Sequence, residues 1–157
     1  VRGAEVTGAG GDVVPRALTP LECWALLRAH VVGRIAVVSG DQPLVVPMNY
    51  AVDGDALVVR TGEGEVHDAA VGAQVAFQLD HFDDRDHSGW SVLVRGRAAE
   101  VGPSTAPRLA RDTRSSGVEP WAPGRREHWL RIVPQHVSGR LVPPLSWGGH
   151  VLVEGYL

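Results

Sequence analysis

Arg60, Thr61 and Gly62 follow one another at the end of an apolar run, ALVVRTGEG, and together they offer what a phosphate group needs. A guanidinium pairs with phosphate oxygens in bidentate fashion, a threonine hydroxyl adds one hydrogen bond, and a glycine-rich turn lets backbone amides approach an anion closely. The plainer alternative is an arginine that ends a strand in solvent. Upstream, Pro47-Met48-Asn49-Tyr50 interrupts the strand that precedes this run. Proline cannot donate to a central ladder, so a sheet edge or a ligand-facing gap is expected there. Asn49 could read a polar ring edge with its amide, and a turn-stabilising or cross-strand role serves equally well. Ser88-Gly89-Trp90-Ser91 heads a later strand. Trp90 could cover an aromatic ligand, with Ser91 on the opposite face, but large aromatics serve packing more often, and that reading is the stronger one.

Other chemistries find less support. The seven histidines include His67, close to the glycine turn and on the surface of a short helix, and His81 and His87, which bracket an acidic loop. No pair has the spacing of a helical zinc motif, so no metal site is assigned. The sequence has neither a Gly-x-Ser-x-Gly elbow nor a phosphate-loop lysine motif, which removes the support for hydrolase and nucleotide-triphosphatase readings. Cys23 is the single cysteine, so an internal disulfide and a multi-cysteine zinc site are excluded, and its place in an amphipathic helix predicts a buried thiol. All fifteen basic residues are arginine, which rules out a lysine Schiff base. A net charge of -3 and a pI near 6.2 argue against a protein that neutralises a nucleic-acid backbone. No apolar run is long enough to span a bilayer, and the first residues lack a basic stretch followed by an apolar one, so the expected location is the cytoplasm.

The elements that must position these residues are mostly strands. Thr19-Pro20-Leu21-Glu22 predicts a capped helix from Pro20 to about His30. From Gly33 the period becomes extended, and Arg34–Val38, Pro43–Val52 and Ala56–Thr61 form a meander through the turns at Ser39-Gly40-Asp41 and Asp53-Gly54-Asp55. A short helix over Glu65–Val71, a strand over Val75–Leu79 and a long strand over Trp90–Val101 with a bulge or bend at Gly96 come next. A helix over Pro103–Arg114 capped by Ser104, a loop over Ser115–Arg125, and two strands, His128–Val133 and His136–Val142, flanking Pro134 complete the pattern. With 157 residues and 44% hydrophobic content, one domain is expected, with residues 1–17 a flexible leader, 18–142 the folded unit and 143–157 a tail that could contact a second subunit. Short connections favour a small antiparallel barrel over a parallel α/β sheet.

Taken in order, the first helix, GRIAVV, LVVPMNYAVDGDALVVRTGEG, VAFQLDHFD, GWSVLVRGRA and a late strand pair resemble the pyridoxamine 5'-phosphate oxidase-like superfamily of flavin-binding split barrels. Within it, the likeness is to the short bacterial branch that includes nitroimidazole-resistance-type proteins, and it extends from about Leu18 to Val142. The resemblance implies a mainly β fold with helices, a six-stranded antiparallel split β-barrel, and a homodimer holding FMN in clefts between the subunits. It implies an FMN-dependent, flavin reductase-like oxidoreductase of a small molecule, with no catalytic acid or base assigned and no nucleic-acid or membrane partner. The phosphate would lie near Arg60, Thr61 and Gly62, with His67 close by, and the ring near Pro47, Met48 and Asn49. Trp90 and Ser91 would also lie near the cofactor, one subunit completing the other's site.

One departure bears on this expectation. Relatives often read RTAPGTK, and the position of that lysine matches Val66 here, while Glu63 and Glu65 add negative charge. Arg60 must carry the phosphate alone, or another arginine such as Arg95 or Arg97 must reach in. Failing both, the chain is a binding or regulatory split barrel with weakened or absent flavin binding. Other branches use a deazaflavin, for which this chain lacks the basic groove, or haem, for which His67 or His150 would be the conceivable axial ligands.

Overall fold

The structure, a computed structural model, describes residues 14–102 and 107–144. In chain order the elements are β1 (Arg16–Ala17), α1 (Pro20–Ala29), β2 (Val32–Ser39), β3 (Gln42–Asp53), β4 (Ala56–Thr61), α2 (Glu65–Ala70), β5 (Gln74–Asp83), β6 (Ser88–Glu100), α3 (Pro107–Ser115) and β7 (His128–Val142). All the strand pairings are antiparallel. β2 pairs with β3, β3 with β4, β4 with β7, β7 with β6, β6 with β5 and β5 with β2, so six strands close into a ring. Closure removes most of the exposed edges that such valine-rich strands would otherwise present.

The sheet has seven strands, one more than the resemblance implies. The additional one, β1, lies in the stretch expected to be a leader and pairs Arg16 with Leu141 and Ala17 with Arg140 of β7. A strand of two residues has no periodicity to detect. The late strand pair is also different, because β7 continues unbroken through Pro134. Its register against β6 shifts between Arg95 and Gly96: Arg95 faces His136, Gly96 faces Pro134, and Gln135 is the extra residue of a bulge. The bulge lets a proline stay in a long strand. It also explains Gly96, since a Cβ there would collide with the carbonyl oxygen of Val133. The Ser104 cap and His150 lie outside the described residues, as do most of the expected leader and tail.

Alternation fills the ring. On β6, Val92, Val94, Gly96 and Ala98 are buried while Leu93, Arg95, Arg97 and Ala99 point outward. The main core joins Ile35, Tyr50, Leu57, Phe77, Leu130 and Ile132 with Cys23 and Leu27 of α1, and Cys23 is fully buried as expected. Tyr50 ties the helix to the ring by donating its hydroxyl to the Leu27 carbonyl at 2.7 Å. Arg131 of β7 donates to the carboxylate of Asp53 and, at 3.0 Å, to its carbonyl, which fixes the β3–β4 turn against the far strand. Among the described residues no helix is long and apolar enough to cross a membrane.

α1 begins with the expected capping box, in which the Glu22 amide donates to Thr19 Oγ1 at 3.3 Å and the Thr19 amide to Glu22 Oε2 at 2.8 Å. Arg16 of β1 also donates to Glu22, at 2.6 and 3.1 Å. The Arg16 hydrogen bonds, with those from Thr19, lower the Glu22 pKa from 4.5 to about 2. A carboxylate with a depressed pKa stabilises the fold above its unfolded value, and that contribution disappears as pH falls through the folded value. Glu22→Gln is therefore expected to be less stable than the parent at pH 7, with the difference narrowing between pH 4.5 and about 2. Urea unfolding across that range tests this, and a difference that stays constant with pH counts against it.

Candidate functional site

The open edge of β3 is where the site lies. β3 pairs with β4 only from Tyr50 to Asp53, so from Gln42 to Asn49 its second edge has no strand beside it. The Tyr50 amide donates to Val31 at 3.0 Å, and by alternation the backbone position of Pro47 points away from β2, toward that open edge. The missing proline N–H therefore removes no ladder bond.

A cavity of about 230 Å³ occupies this gap, lined by Val46, Pro47, Met48 and Asn49 of β3, Arg60 and Thr61 of β4, Val66 of α2, and Pro120, Ala122 and Arg126 of the loop between α3 and β7. Six residues singled out in the sequence, Pro47, Met48, Asn49, Arg60, Thr61 and Val66, thus share one cavity. Thr61 is buried, its hydroxyl donating to the Gly62 carbonyl at 3.1 Å with its lone pairs left to accept. Asn49 serves as a clamp: its side-chain oxygen accepts the Trp121 amide at 2.8 Å, and its nitrogen donates to the Val31 carbonyl at 3.4 Å. The Asn49 side chain bonds to the segment before β2 on one side and to the α3–β7 loop on the other, and so holds the loop over the cavity.

Arg126 was not anticipated. Arg60 donates from Nη2 to the Arg126 carbonyl at 2.9 Å and lies over the Trp129 ring, 4.7 Å from its centroid. The loop can come this close because residue 62 is glycine: a Cβ there would lie 2.8 Å from the Arg125 carbonyl oxygen. Neither Arg95 nor Arg97 lines the cavity; the second cation comes from the loop. Among the described residues, the Nε atoms of both Arg60 and Arg126 are buried without a hydrogen-bond partner. Buried donors of this kind are costly unless something accepts from them, and two at one cavity fit an anionic ligand with several acceptor oxygens.

Four other expected residues lie elsewhere. Gly62 borders a neighbouring cavity with Glu63, Arg125, Glu127 and His128. His67 packs toward β6 and β7, its Nδ1 at 3.1 Å from Asp68 Oδ1 and its Nε2 at 3.2 Å from Glu100 Oε2. Burial opposes charge on this ring, but the bonds to Asp68 and Glu100 more than offset it and raise its pKa. Haem ligation through His67 would have to give up the Glu100 bond. Trp90 packs on His30 with centroids 4.8 Å apart, and Ser91 borders a cavity with Arg16, Ser138 and Arg140. Within one chain, then, Trp90 and Ser91 do not join Arg60.

The chain is thus a closed ring of antiparallel strands with a guanidinium-lined cavity beside an open strand edge. Comparison with known proteins makes the class specific. The family model for pyridoxamine 5'-phosphate oxidase matches residues 19–141, and the chain belongs to that family. An uncharacterized protein of Mycobacterium tuberculosis, Rv0080, is 31% identical over 124 residues, covering 75% of this chain and 79% of that one. Among solved structures, the FAD-binding protein from Mycobacterium smegmatis is 29% identical with a TM-score of 0.61, covering 82% of this chain and 98% of its own. A FAD-binding protein from Mesorhizobium loti is 29% identical with a TM-score of 0.66, covering 82% and 96%.

Proposed function

We propose that the protein is a flavin-dependent oxidoreductase of a small molecule, a homodimer of split barrels that holds FMN by its phosphate between Arg60 and Arg126. The pair of buried, unpartnered guanidinium nitrogens at one cavity is the observation that carries this reading. Arg60 and Arg126 bind the phosphate, Thr61 adds its hydroxyl, and Pro47 and Met48 present the open strand edge to the rest of the ligand. When bound, the flavin supplies the redox chemistry, while the chain's own residues hold and orient it. Arg126 answers the deficit at Val66, which disfavours the alternative of a scaffold that has lost its cofactor.

The size of the cavity supports the dimer. A cavity of about 230 Å³ is smaller than the roughly 300–1,000 Å³ that encloses a whole drug-sized ligand. A second copy supplies the remaining wall, and Trp90 and Ser91, remote from Arg60 within one chain, belong to that contribution. Titration of the purified protein with FMN and with FAD, followed by flavin fluorescence and absorbance, tests the reading. Saturable FMN binding with turnover by NADH or NADPH supports it; binding of neither flavin overturns it, and binding of FAD alone replaces FMN in it.

Val66→Lys should restore a charge beside the phosphate. A partly solvated cation at about 4 Å contributes on the order of 1 kcal/mol, so FMN is expected to bind about fivefold more tightly at low salt. Unchanged affinity in this variant would place the phosphate away from Val66.

A further inference from the structure

His67, Glu100 and His128 come from α2, β6 and β7 and meet near the Thr61 end of β4, where His128 pairs with Thr61; none of the three lines the cavity that holds Arg60. The His67 and His128 rings are 4.2 Å apart, Glu100 Oε2 lies 3.2 Å from His67 Nε2, and Glu100 Oε1 lies 2.6 Å from His128 Nδ1. One potential ligand atom from each residue lies within 4.8 Å of the other two. Around a tetrahedral ion with bonds of about 2.0–2.1 Å, ligand atoms stand roughly 3.3 Å apart, so the 2.6 Å contact between Glu100 and His128 must open while the wider separations in the cluster close for it to hold a metal.

We propose that His67 Nε2, His128 Nδ1 and a Glu100 oxygen form a binding site for a divalent transition-metal ion of the zinc type. Two imidazoles and one carboxylate are a donor set suited to zinc or ferrous iron and poorly suited to magnesium or calcium. The second nitrogen of His67 is already engaged: Nδ1 faces Asp68 Oδ1 at 3.1 Å, a carboxylate–histidine arrangement that orients the ring, while Nε2 would exchange its 3.2 Å contact with Glu100 for a shared metal. The histidine side chains are mostly buried, with exposures of 16% and 26%, so their positions are held by packing. His128 also borders an open cavity of about 280 Å³ with Glu63 and the Arg125–Glu127 ion pair, which gives a water access to a fourth position. The bound ion would join α2 to the paired strands β6 and β7, adding to the packing of Val66, Ala69 and Ala70 against the core.

The site does not depend on flavin binding, and its test is made without flavin. Protein dialysed against EDTA is titrated with zinc chloride by calorimetry, alongside His67→Ala, His128→Ala and, as a control on the same strand, His136→Ala. We expect one zinc per chain in the parent and in His136→Ala. In the two ligand variants affinity should fall by more than about tenfold, since even outer-shell partners of metal ligands are worth about 10–100-fold. Cobalt(II) replaces zinc in a second measurement on the parent alone, where intense visible absorption reports a low-coordinate nitrogen–oxygen site even if a variant fails to fold. Zinc bound no more tightly by the parent than by the folded ligand variants, or a parent that gives only the pale spectrum of aqueous cobalt, overturns the proposal.

Discussion

Arg126→Ala is expected to weaken FMN binding by about 10- to 100-fold, because each hydrogen bond between a guanidinium and a phosphate contributes about 1.5–3 kcal/mol. Arg60→Ala should cost at least as much. Arg60 has two further duties, the bond to the Arg126 carbonyl and the stack on Trp129, so its loss also loosens the loop that delivers Arg126. The double variant is therefore expected to lose less than the product of the single effects, the signature of two residues acting as one unit. Fluorescence titration of FMN with the parent, both single variants and the double variant gives all the terms of the cycle. Unchanged affinity in Arg126→Ala, with the variant shown to be folded, would remove the loop from the phosphate site. Strict additivity would separate the two arginines into independent contacts.

Phe77→Ala is expected to lower stability by about 3–5 kcal/mol, the usual cost of truncating a fully buried phenylalanine. Phe77 is fully buried on β5, meets the Tyr50 ring edge-on at 4.9 Å, and lies across from Ile35 on β2. Gly33 makes room for it, since a Cβ at that position would run into the Phe77 ring. No neighbour can collapse into the space: β2 and β5 are locked by their ladder, and Tyr50 is anchored through its hydroxyl to α1. Urea unfolding of the two proteins measures the difference, and a cost below about 1 kcal/mol would mean that the ring can close over the hole.

What the sequence made legible was local. The β3–β4 hairpin could be read from alternation and an Asp-Gly turn, and Arg60 and Thr61 fall next to each other at its end. Pro47 marked an open edge because proline has only a few places it can occupy in a sheet. Arg126 carried no such mark. It sits in a loop without periodicity and reaches Arg60 across 66 positions, through a carbonyl rather than a motif. His67 and His128 were hidden for the same reason, since spacing rules detect ligands on one helix or one turn and these lie on α2 and β7. Pro134 misled in the other direction: it looked like a break, and only the bulge opposite Gly96, a property of two strands together, lets β7 run through it. Val66 drew attention to a missing charge, but that Arg126 lines the same cavity was a matter of tertiary contact.

β7 is the last described strand in chain order, yet it borders β1, β4 and β6. During synthesis the strands before it can pair as a meander from β2 through β4 and as the β5–β6 hairpin, with β2–β5 joining them, while β4 and β6 each keep a bare edge. Those edges are sealed only when residues 128–142 have emerged and threaded into the gap. Such long-range closure is slow to form and leaves pairing-competent strands exposed meanwhile. The chain's exposure to misassembly is therefore set by how promptly a single late segment arrives, and the same segment brings Trp129 under Arg60. A nascent chain halted before that point would have most of its strands and no finished anion site.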